Sequence, residues 1–407
     1  MKRVLYISYD GLLDPLGYSQ VQPYLRELGR AGVELWVLSF EKPGRLGQGR
    51  EVEQVRLTLA SAGVRWRRLC YHKRPAALAT AWDVFRGVLA VMLLVTGKRI
   101  GIIHVRSYVA ALIGLVPAAL PGRRFLFDMR GFWADERVEG GLWPAGGLLY
   151  RAFKRLERRY LARADAVVVL SERGADVLGK WLSGRKLPPQ VRVVPTCVDL
   201  ELFRPAEDPV KPPGGNGLRL IYLGSLGTWY LMQEMLAFFA VLRDRVPGSS
   251  FSILTPSDPA ALRSIIAGDG IPPGAAGRVA VGAVAYGQVP AALQQADCSI
   301  FFIRPSFSKQ ASCATKFAES LACGLPVIIN AGVGDQDRRV REAGVGVVLE
   351  RLDRQHYEKG VDELLELLKD SSLAARCRQA AVRGFSLEGA VRSYLELYRD
   401  LSAHRPE

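Results

Sequence analysis

A lysine and a glutamate three residues apart on a helix lie on one face, where they can meet an anion and a diol side by side. The segment 312–330, SCATKFAESLACGLPVIIN, holds such a pair in Lys316 and Glu319. Ser312 or Thr315 stands where it can cap the helix, whose first N–H groups are then free to hold an anion. In that arrangement Lys316 neutralises a phosphate, and Glu319 accepts two hydrogen bonds from a ribose. Gly324-Leu325-Pro326 ends the helix and turns into a buried strand. On spacing alone, an ordinary surface ion pair on an amphipathic helix fits equally well.

A second cluster, 127–136 (FDMRGFWADE), follows a short apolar run. It sets Asp128, Arg130, Asp135 and Glu136 beside Phe132 and Trp133. At the carboxyl edge of a strand these four charges are candidate catalytic groups, and the two rings could stack on an acceptor sugar. A structural salt-bridge cluster is the alternative. Asp10, Gly11, Gly17 and Tyr18 form the first strand-to-helix loop, on the acceptor side of the same site.

Other candidates carry less. Asp335-Gln336-Asp337 has the spacing of a metal-binding D-x-D, yet it opens a helix, where acidic side chains complement the dipole. No metal is expected there. The histidines are scattered, and His104 in a strand reads as a packed residue. The six cysteines form no C-x-x-C pair, which fits reduced thiols in the cytosol. No G-x-G-x-x-G follows a strand, so the fingerprint of a dinucleotide dehydrogenase is missing.

These residues need a scaffold that brings loops to one edge. In the first half, apolar runs at Val4–Ser8, Val33–Phe40, Ile100–Val105, Arg124–Phe127, Ala166–Leu170 and Val191–Val194 alternate with helical patterns. The second half repeats this at Leu218–Leu223, Phe251–Leu254, Val279–Val281, Cys298–Ile303, Pro326–Asn330 and Val345–Leu349. Such alternation predicts parallel sheets with helices on both faces and ligands at the carboxyl ends of the strands. A Pro/Gly-rich stretch, 203–217, marks the domain boundary. Two α/β domains facing each other would place the active site in the cleft between them. The apolar runs Val88–Val95 and Val109–Leu120 fall short of the ~20 residues that span a bilayer, and they read as buried core. Met1-Lys2-Arg3 leads straight into the first strand without the apolar stretch of a signal peptide.

The net charge of +15 is unevenly placed. Residues 1–205 hold 33 basic and 18 acidic residues, whereas the remainder is balanced at 22 of each. The first domain therefore attracts anions such as phospholipid, lipid pyrophosphate or nucleic acid. Arg65-Trp66-Arg67-Arg68, Tyr71-His72-Lys73-Arg74 and the basic helix 150–163 mix cations with aromatics, a pattern suited to an anionic membrane surface.

Lys316-x-x-Glu319-Ser-Leu-Ala-Cys-Gly-Leu-Pro-Val327 resembles the donor-site motif of the family 4 (group 1) retaining glycosyltransferases. The segment 193–205, VVPTCVDLELFRP, resembles the end of that family's N-terminal domain, and 222–230, YLGSLGTWY, its first C-domain strand and loop. Phe385-Ser386 followed by Tyr394 and Tyr398 resembles the final helix that crosses back to the N-domain. The resemblance implies a GT-B fold: an acceptor domain (1–205), a nucleotide-sugar domain (206–385) and a returning helix (386–407). It also implies that Glu319 binds the nucleotide ribose. Two positions depart from the pattern. Ala311 stands where the family often has a second glutamate that contacts the donor sugar. The loop Ser225–Tyr230 lacks the arginine and lysine that usually hold the diphosphate, leaving Gly224, Gly227, Lys316 and Arg304 for that task.

The resemblance thus points to a metal-free hexosyltransferase with a UDP- or GDP-type co-substrate and no prosthetic group. Its acceptor would be a glycan or lipid-linked precursor, and the enzyme would be cytoplasmic, peripheral on the inner face of the membrane. A nucleotide-sugar epimerase of the same fold is the alternative reading. A nucleic-acid-binding protein suits the charge, but no nucleic-acid motif is present.

Overall fold

The computed structural model describes residues 2–207, 217–255 and 276–403. The chain divides into two compact units, one built from Met1–Pro195 with Leu387–Glu407, the other from Thr196–Ser386.

The first unit holds a seven-stranded sheet: β1 (Arg3–Ser8), β2 (Leu35–Glu41), β3 (Arg65–Cys70), β4 (Ile100–Arg106), β5 (Arg124–Asp128), β6 (Ala166–Val169) and β7 (Gln190–Val193). Its spatial order is β3-β2-β1-β4-β5-β6-β7, with every pair parallel. β1 and β4 are mostly apolar and buried along almost their whole length, as central strands covered on both faces must be. β3, read above only as a basic segment, is a strand. Its exposed arginines suit an edge, where charge blocks pairing with another chain. Arg65 lies 4.9 Å over the Trp36 ring, and Arg68 lies 5.1 Å over that of Trp66.

The second unit holds β8 (Arg219–Leu223), β9 (Ser250–Leu254), β10 (Val279–Gly282), β11 (Cys298–Phe301), β12 (Val327–Asn330) and β13 (Gly346–Leu349). They form a parallel sheet in the order β10-β9-β8-β11-β12-β13. In each sheet the order reverses beside the first strand, between β1 and β4 and between β8 and β11. Loops leaving the carboxyl ends of such a pair diverge and open a crevice for a ligand.

The boundary expected at residue 205 falls instead after Pro195, because 196–205 packs on the second unit. Thr196 Oγ1 donates to the Cys313 carbonyl (3.0 Å), and Val198 bridges to Ser386. Phe203 is fully buried in the second core. Arg378 donates to the carbonyls of Phe203 and Leu200. Of the Pro/Gly stretch, 208–216 lies outside the described residues.

Helix Leu387–Ala403 belongs to the first unit. Tyr398 hydrogen-bonds His104 of β4 (2.7 Å), the Tyr394 hydroxyl donates to Asp128 of β5 (3.1 Å), and Tyr24 packs edge-on to Tyr394. The run Val88–Val95 lies within a 22-residue helix, Ala76–Gly97. Its expected place in the core is only half right, because just 39% of its most apolar stretch is buried. The run Val109–Leu120 lies mostly in helix Ser107–Ala118, where most residues are buried, as expected of a core element.

Candidate functional site

In the second unit the residues converge at the β8/β11 reversal. β8 ends at Leu223 and the chain turns at Gly224, whose φ of +139° few side chains tolerate. A Cβ on Gly224 would lie 2.5 Å from Lys316 Nζ, so the missing side chain also leaves room for the lysine. β11 ends close by, its position fixed by Asn330 at the end of β12. The Asn330 side chain accepts from Ile303 N (2.8 Å) and donates to Ile303 O (2.9 Å). Tyr230 bridges to Ile303, tying the β8 loop to the same edge.

Lys316 and Glu319 sit on helix Thr315–Ala322, which follows β11. Each is only 7% exposed, so the surface ion-pair reading fails. Lys316 Nζ has no hydrogen-bond partner. It lies 3.7 Å from the Tyr230 ring centroid, 4.2 Å from that of Tyr222 and 5.8 Å from that of Phe301. Burial pushes its ammonium well below the usual lysine range, with only Glu319 opposing. Glu319 is raised to about 7, again by burial, against the pull of Lys316 and a hydrogen bond from Tyr286. A dry ammonium without a hydrogen-bonding partner, faced by aromatic π-clouds, is a receptor for an anion. Neither Ser312 nor Thr315 caps the helix. Ala314 holds the N-cap position with no side-chain bond, which leaves the first N–H groups to other acceptors.

Further cations stand beside this pocket. Arg304 lies 4.9 Å over the Trp229 ring and Lys309 3.9 Å over it. Spacing gave no hint of Lys309, because a short 3₁₀ turn, Ser308–Ala311, brings it to Trp229. Ala311 is fully buried in that turn. Gly227 is a turn glycine with open space around it. Gln336, also unforeseen, is buried with neither end of its amide hydrogen-bonded. The neighbouring Asp337 accepts from Gly332 N (3.0 Å), which braces the loop. Among the described residues no cluster of three or more His, Cys, Asp and Glu side chains is placed to hold a metal.

In the first unit the predicted charges separate into two networks. Asp128, fully buried at the end of β5, has Arg106 and Arg130 each at 3.9 Å and His104 at 3.9 Å. Burial alone would raise its carboxyl, but Arg130, His104 and Arg106 outweigh that and hold it low. Burial pushes the His104 imidazole down in turn. Arg130 adopts a left-handed backbone, φ +60°, that turns the chain back at the strand end. Asp135 belongs elsewhere. It accepts from Tyr150 and Lys154 (2.9 Å each), and Lys154 also pairs with Glu157 at 2.5 Å. That salt-bridge network takes Asp135 to residues outside the predicted cluster. Glu136 is half-buried in the first turn of helix Trp133–Glu139. Phe132 is buried against Trp181 (5.0 Å), so it packs rather than stacks on a sugar. Trp133 lies among Tyr108, Trp143 and Phe153.

The first loop has a support that the sequence concealed. Glu41, buried at the end of β2, accepts from Leu12 N (2.8 Å), Leu13 N (3.2 Å) and Ser39 Oγ (2.6 Å). A Cβ on Gly17 would meet Gly11 O at 2.0 Å, so glycine is required there. Asp10 is exposed in this loop, and Tyr18 is exposed on the short helix Pro15–Gln20 that follows it.

Comparison with known proteins follows this division. Residues 21–202 match the family described as Glycosyltransferase Family 4, and residues 279–383 match Glycosyl transferases group 1. The second match contains Lys316 and Glu319. No curated protein sequence matches. Sucrose-phosphate synthase from Thermosynechococcus elongatus is similar in structure, with TM-score 0.74, 17% identity and coverage of 99% of this chain and 100% of that one. HepE from Anabaena, solved with UDP and glucose, gives TM-score 0.66 and 14% identity, covering 99% and 100%. WaaG, a glycosyltransferase involved in lipopolysaccharide biosynthesis, gives 0.64 and 13%, covering 97% and 99%. At these identities the likeness shows the fold, which is the two-sheet GT-B type.

Proposed function

This chain is a family 4, group 1 glycosyltransferase, and on that premise we propose that its second unit binds a nucleoside-diphosphate sugar, which the enzyme transfers with retention to an acceptor held by the first unit. One observation carries the donor site: the buried Lys316 ammonium, without a hydrogen-bond partner, beside Gly224 and an uncapped helix start. In this reading Lys316 takes the diphosphate. Glu319 accepts the ribose hydroxyls. Arg304 and Lys309, braced on Trp229, supply the positive charge that the family usually draws from the β8 loop. Ser312, Thr315 and Gly227 line the same edge.

The reaction then asks for placement and charge rather than a strong base. The acceptor hydroxyl attacks the anomeric carbon on the face that the phosphate leaves. The carbon–phosphate oxygen bond breaks as the new glycosidic bond forms. The hydroxyl proton passes to a departing phosphate oxygen. Lys316, Lys309 and Arg304 stabilise the negative charge growing on the diphosphate. A UDP-type donor is favoured by the Anabaena relative, solved with UDP-glucose. The acceptor is proposed to be a lipid-linked or glycan precursor, and the enzyme to work at the cytoplasmic face of the membrane.

The test is a thermal-shift and calorimetric screen with UDP- and GDP-sugars on the wild type and Lys316→Met. At a ligand concentration of 100 Kd, a binder of the folded state adds about 2.7 kcal/mol of stability. The wild type should bind a nucleotide sugar, and Lys316→Met should lose more affinity for it than for the bare nucleoside. Equal losses would remove Lys316 from the phosphate site. Conversion of the sugar nucleotide without any acceptor would reveal an epimerase instead.

A further inference from the structure

Helix Ala76–Gly97 presents a face that the fold leaves uncovered. Leu78, Trp82, Phe85, Leu89 and Leu93 are each 53–71% exposed. Their spacing of four, three, four and four residues aligns them along one side of the helix, a ridge of about 22 Å. Trp82 stacks on Phe85 at 5.8 Å within it. Val116, on the helix packed alongside, is exposed as well. Monomeric soluble proteins rarely leave so continuous an apolar strip in water.

The charges around the ridge identify its occupant. Lys73 and Arg74 are exposed immediately before the helix, and Lys98 and Arg99 immediately after it. Between residues 73 and 99 the sole acidic residue is Asp83. It is fully buried and turned inward, accepting from His72 N (2.9 Å) and Tyr9 Oη (3.2 Å). The exposed face thus carries apolar side chains between two cationic ends and no anion. The opposite face is committed to the protein. Ala79, Ala90, Val91, Leu94 and Val95 are buried, and a Cβ on Gly87 would touch Phe40 and Ile113 at 3.0 Å. A helix bound along one side to its own sheet can lie on a bilayer but cannot cross it.

We propose that helix Ala76–Gly97 is an interfacial membrane anchor. Its ridge sinks among the acyl chains of an anionic bilayer, while Lys73, Arg74, Lys98 and Arg99 sit in the phosphate layer. The proposal deepens the membrane placement given above and rests on that placement, not on the donor chemistry. It transfers the anchoring role from the basic segments alone to an apolar wedge that they frame.

Co-sedimentation with vesicles of phosphatidylcholine and phosphatidylglycerol tests it, using wild type, Trp82→Ser/Phe85→Ser/Leu89→Ser and Lys73→Glu/Lys98→Glu. All substituted side chains are exposed, and unchanged thermal melting with unchanged UDP-sugar binding confirms that the fold and donor site are intact. The wild type should bind anionic vesicles and keep a measurable part of that binding at 0.5 M salt, roughly where ion screening has become short-ranged. The triple serine variant should lose at least about tenfold in partitioning, by the area it no longer buries. The charge-reversed variant should lose its preference for anionic over neutral vesicles. Wild-type-like binding by the serine variant, or no vesicle binding by the wild type, would overturn the anchor. A wild-type dimer that becomes monomeric in the serine variant would do so as well, by assigning the ridge to a second copy of the chain.

Discussion

Lys316 keeps its ammonium in a pocket that disfavours charge, and a bound diphosphate would reverse that. Glu319 shows the mirror image, a carboxyl raised to about 7 by the same burial. Donor affinity should therefore depend on the protonation of both groups. Below about 7 the free enzyme's Glu319 is protonated and loses an acceptor for the ribose, so affinity rises as pH climbs through that value. Burial also makes it easier for Lys316 to give up its proton, and affinity falls as that proton is lost. Calorimetric titration of a UDP-sugar should show affinity rising through about pH 7, and a flat profile there would show that Glu319 does not meet the ligand. Glu319→Ala should weaken donor binding roughly 10- to 150-fold, the equivalent of the 1.5–3 kcal/mol typical of a charged hydrogen bond. Its melting should be little changed, because the residue lost is a buried carboxylate raised by desolvation. The pair itself was legible in the sequence, since three-residue spacing on a helix is a local property. The ring cage was not, because Tyr222, Tyr230 and Phe301 come from β8, its following loop and β11. Lys309 was hidden for the same reason.

At the scale of elements, reading apolar runs recovered every strand of the second sheet, because buried parallel strands are continuously apolar. It failed at β3, an edge strand with the sequence RWRRLC whose pattern is that of a surface. It also merged two networks around Asp128 and Asp135. Proximity in sequence suggested one site, but β5 ends at Asp128 and the following helix carries Asp135 away to Lys154. Asp128 faces helix Leu387–Ala403 instead, which no local pattern could have shown. Tyr394→Phe removes the donor to a buried carboxylate and should cost about 1–3 kcal/mol of stability. That loss should appear as earlier melting and faster amide exchange in the first unit, with UDP-sugar binding by the second unit retained. Simultaneous loosening of both units would mean that they do not unfold separately.

Across the whole molecule, the excess positive charge lies entirely in residues 1–205, and the unit that carries it is completed by helix Leu387–Ala403, made after the whole of the second unit. The first unit, although begun first, lacks its last helix until Thr196–Ser386 has been made. At about 5–20 residues per second a ribosome needs roughly 10–40 s for that interval. Throughout it, His104 lacks Tyr398 and Asp128 lacks Tyr394, and the ground those two tyrosines later cover is bare. A nascent chain arrested before residue 387 should therefore present a folded second unit behind a protease-sensitive first one, and release of the remaining residues should abolish that sensitivity. The order of assembly is thus the reverse of the order of synthesis: the second unit is ready first, and the basic unit closes only once helix Leu387–Ala403 has been made.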